Sequence, residues 1–64
     1  MTIGQTIKSL RTKKKLTQKQ LADRLAKIDR TKICRVEQDK AELRLSELAQ
    51  IAAALGVSPK RLMG

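Results

Sequence analysis

With 64 residues the chain has room for one domain, spanning 1–64, and it buries only a modest share of its surface; a second domain is excluded. Hydrophobic residues make up 41% of it yet none is aromatic, so the core is built from Leu, Ile, Val and Ala, which argues against an extended enzyme pocket. The formal charge is +9 and lopsided: residues 1–40 hold 12 basic and 4 acidic side chains, residues 41–64 hold 3 and 2, which points one basic face at a polyanion, either nucleic acid or an anionic membrane.

Ile3, Ile7 and Leu10 fall at i, i+4 and i+7, the apolar stripe of a first helix from about Ile3 to Lys14. Its other faces carry Lys8, Arg11, Lys13, Lys14 and Lys15, and cations in a last turn also favour the negative end of the helix dipole. Thr17 and Gln20 have the spacing of a capping box, with Leu16 and Leu21 at the staple positions on either side. A short second helix is therefore expected from Gln18 to about Ala26, burying Leu21, Ala22 and Leu25, followed by a turn at Lys27 and Ile28.

Asp29 is a favourable N-cap for a third helix running to about Gln38. Ile33, Val36 and Glu37 turn one way; Arg30, Thr31, Cys34, Arg35 and Gln38 spread over the other, polar and cationic side. Residues 39–44 lack a strong period and read as a loop in which Leu43 tucks inward. Leu45, Leu48, Ile51, Ala52 and Leu55 give a fourth helix a wide apolar face, starting between Arg44 and Ser46 and stopped at Gly56. Ser58-Pro59 reads as an N-cap with proline at the first helical position of a last short helix through Met63. The expected fold is all-α, a bundle of five short helices.

The longest uninterrupted apolar stretch, Ile51 to Leu55, is far below the roughly 20 residues that span a bilayer, and no signal-peptide pattern opens the chain. A cytoplasmic protein is expected, and a lone Cys34, unable to form an internal disulfide, agrees with a reducing compartment. With no His and one Cys, neither a zinc site nor a Cys-His nucleophile pair is expected, and no cofactor or small-molecule ligand is evident.

Residues 16 to 38 have the layout of two helices joined by a tight turn, the first bracing a nucleic-acid backbone and the second presenting its N-terminal half to base edges. The pattern Leu16-Thr17-Gln18, Leu21-Ala22, Leu25, Ile28-Asp29-Arg30-Thr31, Ile33, Arg35-Val36-Glu37 resembles the Cro/cI-type (XRE-family) helix-turn-helix family of lambdoid phage repressors and their bacterial relatives. Arg11 upstream, and Leu45, Leu48, Ile51-Ala52 and Ala54-Leu55-Gly56-Val57 downstream, extend the resemblance over nearly the whole chain. It implies a lambda-repressor-like fold with the helix-turn-helix at about 17–38. One departure stands at the turn, where Ala26-Lys27 replaces the single glycine usual in the family, so that the second helix extends or the turn opens.

Arginine can donate two hydrogen bonds to guanine O6 and N7, and a threonine methyl can touch that of thymine, which makes Arg30, Thr31 and Arg35 base readers, as the resemblance also implies. Lys32 lies at the edge of the same face, for a base or a phosphate. Gln18, at the start of the second helix, matches a phosphate-binding position of the family, assisted by the helix's free amides. Lys13, Lys14, Lys15, Lys40 and Arg44 are candidates for backbone contact, with a merely solvated role as the alternative. Glu37 would repel phosphate if it faced outward; the resemblance implies that it pairs inward with Arg11, tying the first helix to the third. Cys34 invites a redox reading, but a small residue near the backbone is the simpler one.

The function these expectations support is sequence-specific recognition of double-stranded DNA by a transcriptional regulator, a repressor acting as a homodimer on a near-palindromic operator, without catalysis. The family's frequent dimer contact after the fourth helix nominates Val57, Leu62 and Met63, which are equally suited to the core. The alternative is a protein-interaction module of the same fold, antitoxin-like or an anti-repressor. A membrane-active helix bundle ranks last, because the helices lack long one-sided amphipathicity and aromatic anchors.

Overall fold

The computed structural model of the protein describes residues 2–63. They form five helices, α1 (Ile3–Lys13), α2 (Gln18–Asp23), α3 (Arg30–Glu37), α4 (Leu45–Leu55) and α5 (Pro59–Met63), and no strand is found among the described residues.

Side-chain caps start the first three helices. The Thr2 and Thr17 hydroxyls accept from the Gln5 and Gln20 backbone amides, and those glutamine side chains accept in return from the Thr2 and Thr17 amides. The Asp29 carboxylate accepts from the Lys32 amide at 2.9 Å. At α4 the Glu47 side chain accepts from the Arg44 amide instead.

Three of the helices end on left-handed residues. Gly56 (φ 72°) closes α4, but Lys15 (φ 57°) and Asp39 (φ 60°) do the same for α1 and α3 without being glycine. After α1 the Leu16 amide reaches back to the Arg11 carbonyl, and after α3 the Lys40 amide reaches the Arg35 carbonyl, the six-to-one closure that such ends make.

The core consists of Ile7, Leu21, Ala22, Ile28, Ile33, Val36, Leu48, Ile51, Ala52, Leu55 and Leu62, with Leu10, Leu16, Leu25, Leu43 and Val57 packed at its margin. Leu62 is 1% exposed, so of the three residues nominated for contact with a second copy it serves its own chain's interior. Ile3 and Leu45 depart from expectation: both continue an apolar stripe in sequence, yet they are 39% and 77% exposed. Each is the first residue of its helix, where the Cα–Cβ bond tilts toward the N-terminus and carries the side chain past the packed body.

The largest correction lies between α2 and α3. Helix α2 stops at Asp23 rather than near Ala26, because Arg24 and Leu25 close onto Leu21 and Ala22 with tightened i→i−3 bonds. The chain then bends through residues 25–27, and the left-handed residue is Lys27 (φ 62°), not Ala26. The Ala26 amide, free of the helix, donates to Gln50 Oε1 of α4 at 2.9 Å, and Ile28 drops into the core. The extra residue thus opens the turn instead of lengthening the helix.

Gly4 sets the approach of α1 to α3: a Cβ there would overlap the Val36 carbonyl oxygen and crowd the Asp39 carboxylate. Gly4→Ala is expected to cost about 1–3 kcal/mol, since backbone has to move, and a melting temperature equal to the parent's would show that α1 can back away freely. Lys27→Gly should act in the opposite direction and raise stability by about 1 kcal/mol by relieving a left-handed non-glycine residue; thermal unfolding that shifts downward would contradict a strained turn.

Candidate nucleic-acid interface

The register of α3 decides which side chains face outward. Ile33 and Val36, 0% and 3% exposed, hold the helix against the core. At 3.6 residues per turn, Arg30 and Arg35 then stand about 140° apart around the axis, with Cys34, Gln38 and Thr31 between them. Arg30, Thr31, Cys34, Arg35 and Gln38, joined by Lys40 from the following loop, line an open groove of about 470 Å³. All are exposed except Cys34, which is half-buried at the floor, where its sulfur accepts from Gln38 Nε2 at 3.5 Å. No carboxylate lines the groove, and neither arginine takes part in an ion pair among the described residues. Two guanidinium forks flanking short side chains can donate paired hydrogen bonds to planar acceptors such as base edges.

Behind α3 a buried ion pair fixes its orientation. Arg11 Nε donates to Glu37 Oε2 at 2.7 Å and Nη2 to Oε1 at 3.0 Å, a bidentate fork whose side chains are 11% and 3% exposed. Arg11 Nη1 donates to the Leu16 carbonyl at 2.7 Å, and Gln18 Nε2 donates to Glu37 Oε1 at 3.1 Å. One cluster therefore links α1, the loop after it, the first residue of α2 and the last of α3. Among the described residues no buried side-chain nitrogen or oxygen lacks a partner.

The remaining cations divide by position. Lys40 belongs to the groove. Lys32 does not: it points to the other flank of α3, half-buried, in a hollow shared with Lys27, Arg44 and Glu47, about 160° around the helix from Arg30 and about 60° beyond Arg35. Lys32 thus stands at the edge of the face that carries Arg30, Thr31 and Arg35, outside their groove, and Arg44 lies with it. Lys13, Lys14 and Lys15 are exposed at the end of α1, but the Lys14 ammonium lies over Gly56, 3.4 Å from where a Cβ would stand, beside the carbonyl end of α4. Gln18 spends one amide hydrogen on Glu37, which leaves its second for an outside acceptor.

Sequence reasoning missed Gln50, whose side chain holds the turn before α3, since nothing local marks a glutamine on α4 as a partner for a loop 24 residues away. It also missed Gly4, although a glycine inside a helical stripe is itself a sign of close backbone approach.

A family model described as a helix-turn-helix domain matches residues 4–64. Over all 64 residues the chain is 41% identical to an immunity repressor protein of Bacillus phage phi105, and it spans 44% of the length of that relative. Among solved structures it is similar to the restriction-modification controller protein C.AhdI from Aeromonas hydrophila, with a TM-score of 0.86 and 35% identity, covering 94% of this chain and 86% of that one.

Removing the guanidinium strands a carboxylate that is nearly closed off from water. Arg11→Met should cost about 3–5 kcal/mol, and adding Glu37→Leu to it should recover a large part of that loss. Equal melting of parent and Arg11→Met would remove the pair from any structural role.

Proposed function

The chain belongs to the Cro/cI-type helix-turn-helix family, and from that premise we propose that it binds double-stranded DNA by sequence, with α3 in the major groove, as a transcriptional regulator that represses. The observation that carries this reading is the outward, unpaired pair Arg30 and Arg35 in a groove without carboxylates, backed by buried Ile33 and Val36. Arg30, Thr31 and Arg35 read bases. Lys40 at the groove's end, Gln18 through its remaining amide hydrogen, and Lys13, Lys15, Lys32 and Arg44 outside the groove serve the phosphates, which give affinity and register but no sequence choice. Lys14 is assigned mainly to the end of α4.

The sign of regulation is supported by the similarity to a protein named as an immunity repressor. A single head of this size reads only a few base pairs, so the operator is taken as two symmetric half-sites bound by two copies. Met63, 59% exposed, and Val57 at the margin of the core remain available for contact between copies. The role is one of binding rather than reaction, and the compartment is the cytoplasm; no helix among the described residues is long and apolar enough to cross a membrane.

Selection of tight binders from a random duplex pool should return a near-palindrome with guanines in each half-site, its half-sites about 34 Å apart. Affinity should fall steeply as salt rises. Arg35→Ala is expected to cost about 1–3 kcal/mol and to relax one position of the site, whereas Lys40→Ala should weaken all sequences alike and lower the salt slope by about one. No enriched sequence together with a flat salt response would favour a protein-interaction module of the same fold.

A further inference from the structure

We infer that Gln50, a residue of α4 outside the groove, is a positioning residue for DNA reading: its carboxamide oxygen fixes the turn before α3, and with it the direction in which Arg30 is presented. This deepens the proposed DNA-reading role and rests on it.

Helix α3 is held unequally along its length. Its far end is fixed by the bidentate Arg11–Glu37 pair and by buried Val36. At its start the chain arrives through residues 25–27, where α2 has already stopped and Lys27 takes a left-handed conformation (φ 62°). Ile28, 4% exposed, sets the depth of that start, but an apolar contact is non-directional and lets the backbone turn about it. Among the described residues, one hydrogen bond ties residues 25–28 to anything beyond α2: the Ala26 amide donates to Gln50 Oε1 at 2.9 Å. A backbone amide only donates, so the carboxamide presents its oxygen there and turns Nε2 away. Around this contact lies an open hollow of about 570 Å³, lined by Lys27, Lys32, Glu42, Arg44, Glu47 and the half-buried Gln50 itself. The hydrogen bond thus crosses space that packing leaves free.

Glu37 lies seven residues from Arg30, about 10 Å along the axis, so a tilt of about 10° about that end carries Arg30 roughly 2 Å. Hydrogen bonds to base edges tolerate only a few tenths of an ångström. A bond that sets direction at the start of α3 therefore decides whether both arginines reach their acceptors together. Phosphate contacts are largely electrostatic, carry no sequence choice and withstand such a tilt. Gln50 accordingly governs discrimination between sequences and leaves general affinity for duplex unchanged. Because the bond lies at the surface, water takes over the Ala26 amide when the side chain is removed, and global stability suffers little.

The test compares Gln50→Leu, which removes the acceptor at similar size, with Gln50→Glu, which keeps it and exchanges Nε2 for oxygen. Affinities for the selected operator and for a scrambled duplex are measured at one salt concentration, and their ratio cancels most of the effect of the glutamate's charge. Gln50→Leu should lower that ratio about tenfold, the scale of one spoiled base contact, whereas Gln50→Glu should stay within about twofold of the parent. Melting of Gln50→Leu should fall by about 4 °C at most. In the free proteins, backbone amide NMR signals of residues 29–31 should shift in Gln50→Leu well beyond their change in Gln50→Glu, with residues 36–38 in place in both. An unchanged ratio in Gln50→Leu, an equal fall for both duplexes, or the same loss of ratio in Gln50→Glu overturns the positioning role and leaves DNA reading intact. Failure to select any operator overturns DNA reading instead; the amide signals then judge the turn alone, and residues 29–31 unmoved in Gln50→Leu overturn the inference.

Discussion

A guanidinium and a carboxylate are held inside a protein of 64 residues, and the position of α3 depends on that pair. Such burial is tolerable only when hydrogen bonds compensate for lost water, and here they do: Arg11 uses its fork on Glu37 and its remaining arm on the Leu16 carbonyl, while Gln18 adds a donor to Glu37. Unlike apolar contacts, which permit some sliding, a bidentate pair has one acceptable geometry. It therefore specifies how α1, α2 and α3 meet, in a core of aliphatic side chains that has no aromatic ring to lock its register.

The outward face of α3 is the reverse side of the same arrangement. Turning Glu37 inward takes the one carboxylate of the helix out of the groove and leaves Arg30, Arg35 and Lys40 as its charges. Gln18 joins the two aspects, since it touches Glu37 with one amide hydrogen and has another to offer outside. The open turn contributes from the other end. Lys27 takes the left-handed conformation that a glycine would adopt without strain, and Gln50 holds the released Ala26 amide, so that an additional residue is absorbed without displacing Ile28 from the core.

Much of this was legible in the sequence. Apolar spacing and cap residues together located all five helices, the threonine–glutamine spacing announced the cap of α2, and the alternation of Ile33 and Val36 with Arg30, Thr31 and Arg35 showed which side of α3 faces out. What was not legible depends on contacts remote in the chain. The end of α2 is set partly by Gln50, 24 residues beyond the amide it holds. Lys32 looks like a neighbour of Thr31 in sequence, but one step of the helix turns it to a different hollow. Leu45 continues an apolar stripe and still points into solvent, because periodicity does not reveal where a helix overhangs what it packs on. Lys14 reads as one of three equivalent lysines until its ammonium is found over Gly56.

The central claim is that α3, anchored from behind, presents its cationic face to a duplex. Its most direct test is an NMR titration of the isotope-labelled protein with its selected operator, following backbone amides and the arginine Nε resonances. Shifts should concentrate on residues 30–40, with the Arg30 and Arg35 side chains moving most and the Arg11 Nε signal staying in place. Large shifts confined to α4 and α5 with α3 unperturbed would contradict it.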